Sequence, residues 1–209
     1  FSDHKISGMG FCTDIPGVWK MPFVFANSNG TASDVAVYTH ELGHALQGYL
    51  SMRAQPLAEY FNGSPDLNEI HSKTMELLAA PFAPLFFGGD AGRFLAEQQY
   101  GIVRELCAFC HRYEFERWLY AHPEASAAEW AEENDRIAKS FGRSLYNAPW
   151  REEVLAGCEL FEDMSIYCYP LYVISYALSQ VCALQLKEAW DRDPADGWRR
   201  YRALCAAGG

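Results

Sequence analysis

His40, Glu41 and His44 stand in the order His-Glu-x-x-His, inside Val37-Tyr38-Thr39-His40-Glu41-Leu42-Gly43-His44-Ala45-Leu46-Gln47. On an α-helix, side chains four residues apart lie one above the other on a single face. Two neutral imidazoles placed this way can close two corners of a tetrahedral zinc site. Glu41 then sits beside the open corner, where a general base for a zinc-bound water is needed. The same pair could also be the polar edge of an ordinary core helix. A third ligand decides between the two.

These residues need a helix to hold them. Thr31, Ser33 and Asp34 offer N-caps, and Val37, Leu42, Ala45 and Leu46 an apolar stripe, which predicts a helix over about 34–51. A loop with Asn62-Gly63 and Ser64-Pro65 follows. A second helix is expected from near Asp66, with Leu67, Ile70, Thr74 and Leu77 at helical spacing, until Pro81 and Pro84 stop it. A helix, a loop and a return helix are long enough to bring Glu69 back to the histidines as a third ligand. Glu69, Ser72, Lys73 and Glu76 share one face of that helix. Glu76 is therefore placed to orient a ligating imidazole through its other ring nitrogen. An acidic face of this kind is also what a solvated helix surface looks like. His71 falls about 200° around the helix from Glu69 and is expected as a buried or surface histidine, not a ligand.

Two short strands are expected, near 8–13 and 22–27, the second ended by Asn29-Gly30. An edge strand beside a metal helix can pair with an extended peptide, which makes Gly8, Gly10 and Phe11 candidate substrate-binding residues. A plain hairpin supporting the helix is the other reading. Downstream, the pattern predicts helices over about 91–121, from a capping box at Ser126–Glu129 to about 146, and over 151–162, 170–190 and 196–206. The expected architecture is mainly α, a zincin-like catalytic half with a small β element and a multi-helix bundle. It is divided as 1–30 (small β element), 31–88 (zinc-binding helices) and 89–209 (helical bundle).

Composition limits the function classes. The 209 residues are 50% hydrophobic and 21% charged, with a net charge of -10, which argues against a nucleic-acid surface. No apolar run approaches a membrane span. Seven cysteines without a compact spacing frame suggest reduced thiols and a cytoplasmic protein of unknown oligomeric state. The ends, at Phe1 and Gly209, give the expectation of a piece of a longer chain. Cys107-Ala-Phe-Cys110-His111 fits the spacing of a c-type haem attachment, but its mid-helix place favours two small buried thiols. Tyr167, Tyr169, Tyr172 and Tyr176 cluster near the start of the penultimate helix. The last three are spaced three and then four apart, on one face. Phenols can donate to the oxyanion formed when an amide carbonyl is attacked; an aromatic core stripe is the alternative.

Several stretches together carry a resemblance. They are residues 7–13 (Ser-Gly-Met-Gly-Phe-Cys-Thr), 22–34 (Pro-Phe-Val-Phe-Ala-Asn-Ser-Asn-Gly-Thr-Ala-Ser-Asp), His40-Glu41-Leu42-Gly43-His44, 69–76 (Glu-Ile-His-Ser-Lys-Thr-Met-Glu), 170–185 and 201–209. The chain resembles the catalytic domain of the oligoendopeptidase F and thimet oligopeptidase family, closest to its Pz-peptidase branch, a zinc metallopeptidase group of the gluzincin type. The resemblance implies a helical catalytic half, one zinc ion (Zn2+) per chain and hydrolysis of short unstructured peptides. It implies His40, His44 and Glu69 as metal ligands and Glu41 as base. It favours Tyr176, with Tyr172 and Tyr169, as oxyanion donors. The family's His ahead of the tyrosines has no counterpart: Met164 or Ser165 occupies its place, and residues 123–209 contain no His. The alternative is therefore a zinc-holding, weakly active or inactive peptide-binding relative.

Overall fold

The computed structural model describes residues 10–17, 19–142 and 164–208. The described residues are mainly helical, with one two-stranded antiparallel sheet among them. The described residues fall into two compact units, one made of Phe1–Gln99 with Leu178–Gly209, the other of Tyr100–Ala177.

The first unit opens with β1 (Phe11–Ile15) and β2 (Met21–Phe25), which start three residues later and one earlier than the sequence suggests. Phe11 pairs with Phe25, Thr13 with Phe23 and Ile15 with Met21. These alternate residues form the outer face, while Cys12 and Asp14 turn inward, as the two-residue period of a strand requires. Helix α1 spans Ala32–Ala54, longer than predicted at both ends. Thr31 is its N-cap but makes no side-chain capping bond. The Asp34 carboxylate instead accepts from the Asn29 and Gly30 amides, at 3.1 and 2.8 Å, placing negative charge on the helix start. The apolar stripe is interrupted at Leu42, which is 52% exposed. It faces an apolar groove of about 730 Å³ with Phe82, Leu85 and Trp198.

Helix α2 (Pro65–Ala79) returns along α1. It stops at Ala79, ahead of Pro81 and Pro84 as expected, and further helical turns follow. Each proline sits at the start of a new turn, Pro81 in a 3₁₀ turn (Ala80–Phe82) and Pro84 in α3 (Ala83–Phe87), where a missing amide costs nothing. Helix α4 (Ala91–Ala121) follows, shared between the units. The first unit is completed by the end of α7 (Ile174–Arg192) and by α8 (Pro194–Ala207). Asp193 caps α8, accepting from the Ala195 and Asp196 amides. Its Tyr201 and Cys205 pack with Leu78 into a core cluster. Tyr201 is fully buried and donates its hydroxyl proton to the His71 carbonyl at 2.8 Å. Gln55 donates to the Ala206 and Ala207 carbonyls, tying the end of α1 to the end of α8.

The second unit is built around Phe115, Leu119, Ile137 and Ile166, with Trp118, Trp130 and Phe141 against them. Helix α5 (Ala127–Ser140) carries the predicted capping box between Ser126 and Glu129. It ends six residues short of the expected 146, where Gly142 takes a left-handed conformation (φ 69°). Helix α6 spans Met164–Cys168. The helix predicted over 170–190 begins only at Ile174, because Leu171 is itself left-handed (φ 58°). The buried Glu116 carboxylate accepts the Leu171 amide proton at 2.6 Å, fixing that turn. The predicted helix over 151–162 lies outside the described residues.

Candidate metal centre

Helix α1 places His40 and His44 one turn apart, and α2 brings Glu69 to them across the intervening loop. The closeness of the two helices depends on Gly43. A Cβ there would lie 2.6 Å from the His71 carbonyl oxygen and from the Ser72 Cα. Both are backbone atoms, so no side-chain rotation relieves the clash. A mid-helix glycine usually costs about 1 kcal/mol relative to alanine. Here it permits the approach that joins the two halves of the site. Gly43 has no role among the sequence expectations; a glycine in the middle of a strongly helical motif is the signal that marks it.

Three donor atoms converge. His40 Nε2 and His44 Nε2 are 3.3 Å apart, and Glu69 Oε2 lies 3.4 Å from the first and 3.7 Å from the second. A tetrahedral zinc with ligands at about 2.0–2.1 Å needs donors about 3.3–3.4 Å apart. The nitrogen and oxygen types also suit zinc, so the residues present fit the ion. Among the described residues, this is the group of three or more His, Cys, Asp or Glu able to hold a metal.

A second layer orients the donors. The His40 Nδ1 donates to Glu76 Oε1 at 2.7 Å, which leaves the Nε2 lone pair for the shared point. Lys73 Nζ lies 3.4 Å from the same Glu76 oxygen. Burial works to lower the His40 pKa, but the hydrogen bond and charge of Glu76, with the charge of Glu69, outweigh it and raise the value. His44 is pushed down to about 3 by burial, then by the charges of His40 and His71, so it is neutral at ordinary pH. The Ser72 hydroxyl donates to Glu69 Oε2 at 2.8 Å.

Glu41 is buried, and burial raises its pKa; His40 pulls the other way and Glu69 adds to the rise. Strand β1 runs across it. A Cβ on Gly10 would sit 2.6 Å from Val37 Cγ1 and 3.2 Å from Glu41 Oε1. Gly10 thus lets the strand lie against α1. The inward Cys12 thiol is pushed up to about 12 by burial and by the charges of Asp14 and Glu41, so it stays protonated. Phe11 faces outward and stacks on Phe25, with ring centroids 5.1 Å apart. Gly8 lies outside the described residues.

His71 is buried (2% exposed), with Nδ1 3.3 Å from the Asn68 carbonyl, away from the donor triangle as expected. In the second unit, the His111 Nε2 donates to Asn134 Oδ1 at 2.8 Å, so the Cys-x-x-Cys-His histidine is a buried structural group. Cys107 and Cys110 are half-buried free thiols, not fully buried as expected. The tyrosines also lie in this unit. Tyr172 Oη donates to Tyr176 Oη at 3.3 Å, Tyr176 stacks on Phe109, and Tyr169 is 65% exposed. Tyr169 and Tyr172 precede α7, so the three share a turn and a helix start, not one helical face. The side chains of Met164 and Ser165 lie outside the description.

The sequence profile of peptidase family M3 matches residues 2–209. Among solved structures, an oligoendopeptidase F is 34% identical, with a TM-score of 0.83 over 97% of this chain and 35% of its own. PZ peptidase A, solved with an inhibitor, is 31% identical, with a TM-score of 0.82 over 97% of this chain and 36% of its own. An oligoendopeptidase F from Bacillus anthracis is 32% identical, with a TM-score of 0.78 over 97% and 32% respectively. This chain therefore spans about a third of the length of these proteins. No curated protein matches it.

Proposed function

We propose, from the premise that the chain belongs to peptidase family M3, that it is a zinc-dependent endopeptidase acting on short, unstructured peptides. The observation that carries this reading is the donor triangle of His40, His44 and Glu69, whose edges of 3.3, 3.4 and 3.7 Å suit one tetrahedral ion. Zinc, when bound, supplies Lewis-acid polarisation of the scissile carbonyl and acidifies a water.

The chain's own residues do the rest. Glu76 holds His40 in the tautomer that offers Nε2. Glu41 takes the proton of the attacking water and passes it to the leaving amine. A carboxylate with a raised pKa is suited to carrying a proton between the two steps. Strand β1 pairs with β2 along one edge, and no further strand joins its other edge among the described residues. An extended peptide adds along that edge, near Gly10 and Phe11. Tyr176, with Tyr172 and Tyr169, is the proposed hydrogen-bond donor to the oxyanion. No described helix is long and apolar enough to cross a membrane.

Glu41→Gln tests the reading. Gln is nearly isosteric but cannot take the proton, so cleavage of a quenched fluorescent peptide should be lost while zinc per chain stays at the wild-type level. Wild-type turnover in Glu41→Gln, or undiminished cleavage after chelation of the wild type, would refute it.

A further inference from the structure

The third corner of the donor triangle is a glutamate, whose side chain turns about several bonds before it presents an oxygen. A loosely held carboxylate gives up that freedom when it takes a metal. Here the freedom is already restricted. Glu69 is buried, and Ser72, one turn later on α2, is fully buried beside it. Ser72 Oγ lies 2.8 Å from Glu69 Oε2 and 3.0 Å from the Glu69 backbone carbonyl. A hydroxyl has one proton to donate. The charged carboxylate is the stronger acceptor, so the proton goes to Oε2. That oxygen is the same atom that stands 3.4 and 3.7 Å from the Nε2 atoms of His40 and His44. Ser72 occupies one side of it and leaves the other for the point shared with the histidines. Burial keeps competing water away from the bond.

We propose that Ser72 is a positioning residue for metal binding. Its hydroxyl fixes the oxygen that Glu69 presents to His40 and His44 and so tightens the hold on a divalent metal. The inference rests on the metal-site reading given above.

The test measures zinc affinity of the whole chain by competition with a chromophoric chelator, for wild type, Ser72→Ala, Glu69→Ala and the double variant. Visible absorption of the cobalt(II)-loaded proteins reports coordination independently of peptidase activity. Ser72→Ala should bind zinc roughly ten- to a hundredfold more weakly and give altered cobalt bands, with a metal-free melting temperature close to wild type. In the Glu69→Ala background the same change should have no further effect on affinity. Should Ser72→Ala not fold, Ser72→Gly removes the same donor without adding a metal ligand, and the same loss is expected. Wild-type affinity and spectrum in the variant, or an equal loss in the Glu69→Ala background, overturns the role of Ser72 alone. A wild type that binds no zinc, or a Glu69→Ala protein that binds it as tightly as wild type, overturns the metal-site reading and this inference with it.

Discussion

Gly43→Ala separates the cost of packing from the cost to the metal centre. The added Cβ would meet the His71 oxygen and the Ser72 Cα at 2.6 Å. Comfortable contacts are about 3.3 Å for carbon to oxygen and about 3.5 Å for carbon to carbon, so α1 and α2 must part by roughly 0.7–0.9 Å. Overpacking of this kind costs about 1–3 kcal/mol, while replacing a helical glycine by alanine returns about 1 kcal/mol. The metal-free protein should therefore lose only about 0–2 kcal/mol by urea unfolding. The metal centre is less tolerant, because ligand distances must hold within about 0.2 Å. Moving Glu69 away from His40 and His44 by several times that amount should weaken zinc binding at least tenfold in a chelator competition. A variant that binds zinc as tightly as wild type and is about 1 kcal/mol more stable would show that the helices do not need glycine to meet.

Glu76→Leu should weaken zinc binding about ten- to a hundredfold, and Glu76→Gln less, since its amide oxygen still accepts from His40 Nδ1; isothermal titration with zinc checks the order. Metal-free stability should fall on acidification from about pH 6.5 towards 3. His44 takes up a proton in the unfolded chain near 6.5 but in the folded chain only near 3, so unfolding is favoured across that window; urea unfolding at several pH values measures the slope. Tyr176→Phe should keep its zinc but lower turnover about a hundred- to a thousandfold with a smaller effect on KM, the pattern of a bond made mainly in the transition state; steady-state kinetics on a short peptide decides it.

Much of the fold was legible because helix signals are local. The 3.6-residue period marked α1, α2 and α8, the Ser126–Glu129 box marked the start of α5, and Ala91 and Ala121 bounded α4 as expected. Pro81 and Pro84 mark the end of α2 at Ala79 as expected, and each also opens a new turn, which has no use for an amide proton there. Leu171 gives no local warning of a left-handed backbone; the buried Glu116, 55 residues away in sequence, holds its amide and delays α7.

By itself the sequence determined the chemistry on offer. It set two imidazoles one turn apart, a carboxylate beside them and an acidic face on the return helix, because side-chain type and helical phase are properties of neighbouring residues. Tertiary structure decided which of those groups meet. Contact between Gly43 and the backbone at His71–Ser72 sets the helix separation, and that separation brings Glu69 Oε2 within 3.4 Å of His40 Nε2 while Glu76 is held on the opposite ring nitrogen. A face shared by Glu69, Ser72, Lys73 and Glu76 can be read from spacing, but the division of their roles depends on distances of a few tenths of an ångström, which only the packing of α1 against α2 fixes.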